Sequence, residues 1–428
     1  MTNIKSNLFT WFVSLAFMTT VVGCQSSPVV QEENAPITLE LWTLQLKSFE
    51  AIIQPMLNDF EAHHPNVSVR WVDVPFSQGE KRTLTALLSP TVPDVVNLNP
   101  DFAALLAYRG TLVDMNTAVP KAIQHTYLPV AWQAASMQLD KTASPITFGL
   151  PWYLTSSITF ANKAILGSST IPTTLEGVEV LARSLNKQHI GYYAVMPNLT
   201  QSGNGLKALF QAGLIDTTEP TQLAVQLEKP AVHRWIAHWV GLYQQGFIPA
   251  EALTEGPQAA VDRYQSGTLA LMPAGANFLT MIEENAPEVY QNTTIAPQFL
   301  AVPSRRGFSE MLLVVPRKSQ YPQLAVKLAL HLTNAANQLA LAKAAPVLPS
   351  IQSALSNPFF RQTATPIDKA RAISATQLLA TTQALPLHPR QKDINALSDR
   401  AFQSALLVTI SVPAVVTQWQ TDLRQLSP

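Results

Sequence analysis

The sequence predicts an α/β protein that is large enough for two lobes. Strand-like and helix-like segments alternate over residues 37–109, which is the pattern of βαβ units and of a mostly parallel sheet. The 428-residue chain is long enough for two domains of ordinary size or one bilobal unit. Its single cysteine, Cys24, has no second cysteine with which to form a disulfide, so burial of a core must stabilise the fold.

The first 23 residues have the features of a secretory signal peptide. Lys5 gives a basic start, and the apolar run from Leu8 to Gly23 is shorter than a membrane-spanning helix requires. The run ends in Val21-Val22-Gly23-Cys24, which resembles the lipobox of bacterial lipoproteins, with valine where leucine is usual. The resemblance implies cleavage after Gly23 and a lipid on the Cys24 thiol. Residues 24–36 are polar and contain proline, as in a flexible tether.

Three strand and helix pairs are predicted after the tether. Ile37 to Trp42 alternates apolar and polar side chains, and Phe49 to Phe60 places apolar residues at three- and four-residue steps. Asp94 to Asn99 is almost continuously apolar, which is typical of a strand covered on both faces. The predicted strands are 37–42, 67–75 and 94–99, and the predicted helices are 49–60, 81–89 and 101–109.

The pattern changes after the third pair. Residues 146–166 read as extended segments interrupted by Pro151, without a crossover helix. Beyond them the sequence predicts helices at 175–187, 205–212, 231–245, 258–266 and 321–345, strands at 269–273 and 307–316, and further helices at the end.

The charge composition gives no sign of a nucleic-acid partner. Lysine and arginine number 28, as do aspartate and glutamate, and charged residues make up only 13% of the chain. No basic stripe and no acidic block stands out.

Six stretches between residues 37 and 355 carry a resemblance to a known family. They are LELWT (39–43), FEAHHPNVSVRWVDVPF (60–76), PDVVNLNPDFAALLAYRGTLVDMN (93–116), FGLPWYLTSSITFANKAIL (148–166), YQSGTLALMPAGANF (264–278) and VLPS (347–350). Their content and order resemble family 1 of the bacterial extracellular solute-binding proteins, the sugar-binding subunits of ABC importers. The resemblance implies a periplasmic-binding-protein-like fold, in which hinge crossings join two α/β lobes around a ligand cleft. It places a first lobe at 37–152 and 303–347 and a second at 153–302 and 348–428.

A sugar would be held by groups that accept and donate hydrogen bonds and by aromatic faces that cover its C–H surfaces. In open α/β sheets, ligands bind beyond the carboxyl ends of the strands. The candidates at those positions are Gln45, Phe76, Gln78, Asn99 and Asp101. Two alternatives remain open here, since Asp101 could be a helix N-cap in a local turn and Phe76 could be a core residue.

The other candidates lie at the predicted hinge and in the second lobe. They are Trp152, Tyr153, Asn277, Phe278 and Glu310. Asn277-Phe278 stands where the family usually has a tryptophan, so an aromatic ring is kept but the match is inexact. Glu310 is expected to accept sugar hydroxyls, and the alternative is a salt bridge with Arg305 or Arg306.

Three other functions are alternatives to a sugar-binding importer subunit. A secreted enzyme would need a placed carboxylate pair, a nucleophile with its base, or a metal site, and GxSxG, HExxH and CxxC are not found. Tyr192-Tyr193 is similar to the tyrosine pair of ferric-ion-binding relatives, but neighbouring side chains of a strand point to opposite faces. A receptor that feeds a membrane sensor would use the same binding chemistry.

The sequence therefore predicts a binding protein with no catalytic residue, no metal site and no cofactor. Its expected partners are a mono- or oligosaccharide or a sugar-like osmolyte, the transmembrane subunits of an ABC permease, and a membrane through the lipid on Cys24. The expected location is extracytoplasmic, on the periplasmic side of a membrane or at the cell surface, and the expected state is a monomer without nucleic acid. Binding energy would drive closure of the lobes rather than a reaction.

Overall fold

The computed structural model describes residues 35–89, 92–139, 144–189 and 191–426. The predicted signal peptide, Cys24 and the tether up to residue 34 lie outside the described residues. No helix in the described ranges combines the length and apolarity needed to span a membrane. The described residues from Ile37 onward form one compact unit.

The strands form two main sheets and one short pair. In chain order they are β1 (Ile37–Leu44), β2 (Val67–Val74), β3 (Val95–Leu98), β4 (Ser136–Met137), β5 (Ile146–Thr147), β6 (Leu150–Ser156), β7 (Ile158–Asn162), β8 (Tyr193–Val195), β9 (Leu269–Ala274), β10 (Thr293–Pro297), β11 (Phe308–Val314) and β12 (Leu348–Pro349).

Helices fill the connections between these strands and the C-terminal part of the chain. The first ten are α1 (Glu50–His63), α2 (Gly79–Leu88), α3 (Pro100–Tyr108), α4 (Met115–Ala118), α5 (Lys121–Gln124), α6 (Pro129–Ala134), α7 (Lys163–Leu166), α8 (Leu175–Gln188), α9 (Asn204–Gln211) and α10 (Pro220–Leu227). The others are α11 (Pro230–Gln244), α12 (Pro257–Gln265), α13 (Phe278–Asn285), α14 (Pro287–Gln291), α15 (Pro322–Leu332), α16 (Ala335–Ala344), α17 (Gln352–Leu355), α18 (Pro366–Ala380), α19 (Gln391–Leu406) and α20 (Val412–Leu426). Short 3-10 turns occur at Lys47–Phe49, Phe76–Gln78, Ala250–Leu253, Pro303–Arg305 and Pro358–Arg361.

The larger sheet is mixed rather than mostly parallel. Its strand order is β12-β6-β11-β3-β1-β2, and we use lobe 1 for the part of the chain built on it. Strand β1 pairs in parallel with β2 and β3, as the βαβ pattern predicts. Strand β11 is antiparallel to β3 and β6, and β12 is antiparallel to β6. The parallel prediction holds only for β1, β2 and β3, because β11 returns to this sheet from the second lobe.

A four-stranded sheet of order β10-β7-β9-β8 defines lobe 2. Its apolar core starts at Ile158 and takes in α8 to α13 together with α19 and α20 at the C-terminus. The chain passes between the lobes from β6 to β7 at Ser157, again between β10 and β11, and a third time between α18 and α19.

The structure places two segments that the sequence assigned to the second lobe against lobe 1. The sequence assigned residues 153–156 and 348–380 to the second lobe, yet Leu348 pairs with Leu154 in the larger sheet. Leu348, Phe360 and Leu378 also share one buried cluster with Leu154. These segments therefore pack against lobe 1, because their apolar side chains cover the edge of its sheet.

A buried glutamine connects the crossings. The Gln377 side-chain amide, 2% exposed, accepts the N–H of Gln298 at 2.8 Å and donates to the Ser157 carbonyl at 2.7 Å. The Ser157 N–H in turn donates to the Gly307 carbonyl at 2.9 Å. A hydrogen-bonded network thus joins α18 to both strand crossings.

Two local predictions need correction. Pro151 does not interrupt the extended segment but lies inside β6, where the register against β11 shifts between Met311 and Leu312. A bulge tolerates proline because the missing N–H need not join the ladder. The predicted helix 321–345 is two helices, since the Asn334 side chain accepts the Asn337 N–H at 2.9 Å and begins α16 anew.

Candidate ligand-binding cavity

A cavity of about 380 Å³ lies between the lobes, and we call it the interlobe cavity. Its size is within the range of small-molecule sites. Its lining residues are Phe76, Asn99, Pro100, Asp101, Ala134, Lys207, Phe210, Gln211, Arg305, Arg306, Gly307, Phe308, Ser309, Glu310, Met311, Gln383, Ala384, Leu385, Leu387 and Gln391. A second cavity, of about 700 Å³, adjoins it through Phe76 and Asn99.

A larger groove of about 800 Å³ lies wholly on lobe 2, along α8 and α11. It contains no residue that follows a strand of the larger sheet. The interlobe cavity does contain such residues, from both lobes and the crossings between them, and is the better candidate for a ligand.

The lobe 1 wall consists of residues that follow β2 and β3. Phe76 is 55% exposed, so an aromatic face is open to a ligand. Asn99 caps α3, and its side-chain oxygen accepts the Phe102 N–H at 2.9 Å. The N-cap is therefore Asn99 and not Asp101, which leaves the half-buried Asp101 carboxylate facing the cavity.

The lobe 2 wall is one face of α9. Lys207, Phe210 and Gln211 are spaced three and four residues apart, so their side chains lie on the same side of the helix. Gly203 begins this helix with φ 67° and donates its N–H to Asp399 of α19 at 2.9 Å. The Gly203–Gly205 segment is therefore the start of a helix.

The floor of the cavity contains Glu310, which is 4% exposed. Neither carboxylate oxygen has a hydrogen-bond partner, and burial raises the pKa of the Glu310 carboxyl well above its ordinary value. The group is thus an unused acceptor when charged and an unused donor when protonated. The salt bridge with Arg305 or Arg306 that the sequence left open does not form among the described residues.

Arg305 and Arg306 differ in their contacts. Arg305 donates to Gln383 at 2.6 Å and to the Ile215 carbonyl at 2.7 Å, and its guanidinium lies 4.8 Å from the centre of the Phe210 ring. The Nε of Arg306 is buried without a partner, and burial lowers the pKa of Arg306. Arg305 therefore stabilises the crossing through hydrogen bonds, whereas the Arg306 Nε is left without a partner.

The lobes also contact each other beside the cavity. Lys392 at the start of α19 pairs with Glu80 of α2 at 2.7 Å. Asn395, one turn further on, donates to Asp101 at 3.5 Å. Both contacts join lobe 2 to lobe 1 without a ligand.

The structure places Trp152 and Tyr153 outside the cavity lining. Trp152 is fully buried in the core of lobe 1, so its ring cannot stack on a ligand in the interlobe cavity. Tyr153 packs against the same core, and burial raises the pKa of its hydroxyl. Both residues lie in β6, and their side chains pack in the lobe 1 core and not in the cavity.

Four more predicted residues lie outside the lining. Gln45 and Gln78 follow their strands as predicted but are exposed to solvent. Asn277 is exposed at the start of α13, and Phe278 packs against the core of lobe 2. Of the ten predicted ligand residues, the structure brings Phe76, Asn99, Asp101 and Glu310 together.

Sequence reasoning missed the contributions of α9, Arg306 and α19. The three- and four-residue spacing of Lys207, Phe210 and Gln211 could have marked a ligand-facing helix side. No signal of that kind marks Arg306 or Gln391, because their positions depend on how the crossings fold.

The tyrosine pair of the iron alternative is not at the cavity. Tyr192 stacks on His189 at 4.5 Å, and the Arg263 guanidinium lies 4.7 Å from the centre of the Tyr193 ring. No group of three or more histidine, cysteine, aspartate or glutamate side chains arranged for a metal ion occurs in the described part of the chain.

Two lobes, three crossings and a cavity between the lobes that is lined by both apolar and charged side chains are the arrangement of a bilobal binding protein. The chain belongs to the bacterial extracellular solute-binding proteins, because the sequence profile of that family matches residues 55–366. The family resemblance seen in the sequence is thereby confirmed, and the family consists of binding proteins and not of enzymes.

Relatives and solved structures agree with this assignment. The chain is 34% identical to a Synechococcus sp. MITs9220 protein provisionally assigned as an oligosaccharide periplasmic-binding protein and solved with zinc; the TM-score is 0.80, covering 90% of this chain and 98% of that one. It is 22% identical over 417 residues to the galactooligosaccharide-binding protein of Bacillus subtilis, covering 94% of this chain and 92% of that one. The maltose-bound MalE3 of T. maritima, 17% identical with a TM-score of 0.69, covers 91% of this chain and 100% of its own, and shares the fold.

Proposed function

We propose that this protein is the extracytoplasmic substrate-binding lipoprotein of an ABC importer and that it captures a saccharide. The observation that carries the proposal is the composition of the interlobe cavity. An exposed aromatic face, Phe76, lies in the same cavity as the Asp101 carboxylate and the unpaired Glu310 carboxyl. A saccharide needs this combination, because its ring faces are apolar and its edge carries hydroxyl groups.

The relatives support a saccharide over other solutes. The Synechococcus protein, at 34% identity, is assigned to oligosaccharides, and the Bacillus subtilis relative is named for galactooligosaccharides. The two lobes would close over the ligand and present the closed form to the permease.

A panel of mono-, di- and trisaccharides tests the proposal, with ferric ion, zinc and amino acids as controls. Thermal-shift measurements of the purified protein followed by calorimetry should identify a saccharide that raises the melting temperature. Asp101→Asn should weaken that binding while leaving the unliganded melting temperature close to wild type. A response to ferric ion or amino acids with none to any saccharide would refute the proposal.

The anchor is a proposal of its own, since Cys24 lies outside the described residues. A Streptomyces antibioticus relative, 22% identical over 379 residues and covering 84% of this chain and 81% of its own, is named an uncharacterised lipoprotein. We expect Cys24→Ser to move the protein from the membrane fraction to the soluble extracytoplasmic fraction, because it removes the thiol that carries the lipid. Incorporation of an alkyne-labelled fatty acid into wild type and not into the variant is the measurement. Equal labelling of both would refute a lipid on Cys24.

A further inference from the structure

The interlobe cavity has more positive than negative groups in its lining. Lys207, Arg305 and Arg306 all line it, against the carboxylates of Asp101 and Glu310. All three basic side chains are partly buried, which makes an uncompensated charge costly.

None of the three cations forms an ion pair within the described ranges. Arg305 donates to neutral oxygens, those of Gln383 and of the Ile215 carbonyl. Arg306 has a buried Nε without a partner. No carboxylate neutralises either guanidinium in the described ranges, so the positive charges of Arg305 and Arg306 act on a ligand in the cavity.

The carboxylates do not balance these charges. Glu310 is buried with both oxygens unpartnered, and burial favours its protonated, neutral form. Burial raises the pKa of the Asp399 carboxyl, and the charge of Lys207 opposes this rise without forming an ion pair. The Asp399 carboxylate also accepts the Gly203 N–H. Asp101 is the other carboxylate in the lining, and it accepts a hydrogen bond from a neutral donor, the Asn395 amide.

We infer that the cavity binds an acidic saccharide, one that carries a carboxylate or sulfate group held by Arg306 and Lys207. The inference rests on the proposed function and narrows its ligand class. A planar guanidinium with an unused donor binds a carboxylate or sulfate through charge-assisted hydrogen bonds. A neutral sugar would leave the surplus positive charge of these partly buried side chains without a counter-charge.

Matched pairs of saccharides test the inference by calorimetry on the purified protein. One pair is cellobiose and cellobiouronic acid, and the other is galactobiose and digalacturonic acid. A sulfated galactobiose is compared with the second pair. We expect the tightest ligand to be an acidic member, bound at least about tenfold more tightly than its neutral counterpart. Its affinity should fall as salt is raised. Preference for the sulfated arm over the uronate would assign sulfate as the recognised group.

The variant Arg306→Gln should reduce the acidic-to-neutral affinity ratio by about tenfold, and Lys207→Gln should reduce it in the same direction. Arg361→Gln, which removes one positive charge from an exposed position outside the cavity, is the matched control and should leave the ratio as it is. Melting curves of all variants confirm folding.

The outcomes separate the inference from the proposed function. If a neutral saccharide binds as tightly as its acidic counterpart or more tightly, the inference is wrong and the proposed function stands. If no saccharide of either kind binds, the proposed function fails and the inference fails with it. A ratio that falls equally in Arg306→Gln and Arg361→Gln would also overturn the inference, since net charge alone would then explain it.

Discussion

Burial decides which predicted aromatic side chains can contact a ligand. The sequence predicts that both Phe76 and Trp152 can stack on a ligand, yet Phe76 is 55% exposed and Trp152 is 0% exposed. The sequence places each residue near a strand end but does not say on which side of the sheet its ring lies. A shift of one residue along a strand reverses the face, so this distinction depends on register.

Replacing these two aromatic residues should separate stability from binding. Trp152→Ala should lower the free energy of unfolding by about 3–5 kcal/mol, because it leaves a cavity in the lobe 1 core. Phe76→Ala should change it by less than about 0.5 kcal/mol and weaken saccharide binding instead. Urea unfolding and calorimetry measure the two effects. A Trp152→Ala protein of unchanged stability would contradict the placement of this residue in the core.

Glu310 should make stability depend on pH. The folded protein holds the Glu310 proton at pH values where the unfolded chain has released it, at a pKa of about 4.3. Stability of the wild type should therefore fall as pH rises from about 4.3 through the folded pKa. Glu310→Gln removes this loss, so its melting temperature should exceed that of wild type by a few degrees near pH 8 and by less near pH 5.

Glu284→Gln, at an exposed position, is the control for that experiment. Thermal melts across this pH range provide the measurement. If the Glu310→Gln difference were constant with pH, the Glu310 carboxyl would not be protonated in the folded protein.

At the scale of elements, the sequence pattern predicted the helices and strands whose contacts are close in sequence. The apolar spacing of α1 and α8 and the parallel β1–β3 core follow from residues close in sequence. The antiparallel entry of β11 and the packing of α18 on the larger sheet could not be predicted, because their partners lie more than a hundred residues away. The break before α16 depends on a single capping side chain, Asn334.

Close packing of α9 on α19 gives a prediction at this scale. A Cβ on Gly205 would lie 2.2 Å from the Phe402 ring and 2.8 Å from the Leu199 carbonyl. Gly205→Ala should therefore destabilise the protein by about 1–3 kcal/mol, despite the better helix propensity of alanine. Gly241→Ala in α11 is the matched control, since the nearest atom there is 3.8 Å away, and it should be neutral or stabilising by up to about 1 kcal/mol. Equal effects in denaturant unfolding would contradict the α9–α19 contact.

At the scale of the whole molecule, the candidate site depends on how the lobes meet. The lobe 1 wall was predictable, because Asn99 and Asp101 follow a recognisable strand. The lobe 2 wall was not, since it combines α9 with the start of α19, almost two hundred residues later. Only the three crossings bring these segments to one cavity.

The Lys392–Glu80 pair should favour contact between the lobes. Lys392→Ala removes the pair, so the ligand would have to supply more of the closing energy, and its Kd should rise by up to about fivefold, the equivalent of about 1 kcal/mol for an exposed ion pair. Arg424→Ala is the control, because its pair with Glu228 lies within lobe 2. Calorimetry gives Kd, and fluorescence transfer between labels on the two lobes reports their separation. The charge-swapped Lys392→Glu with Glu80→Lys should restore both values, and unchanged values in Lys392→Ala would show that the pair does not influence closure.

The core of lobe 2 has a consequence for the order of events during biosynthesis. Its first strand is β7, yet its buried residues extend to Leu423 in α20, three residues before the described chain ends. A ribosome or a secretion channel that releases the chain from its N-terminus delivers α19 and α20 after the other described elements of lobe 2. Lobe 2 cannot bury Phe402 and Trp419 before then, whereas the residues of the lobe 1 sheet are all available once residue 349 has emerged. Lobe 1 should therefore be able to form first, and the binding cavity should be completed only after α19 and α20 have emerged from the channel.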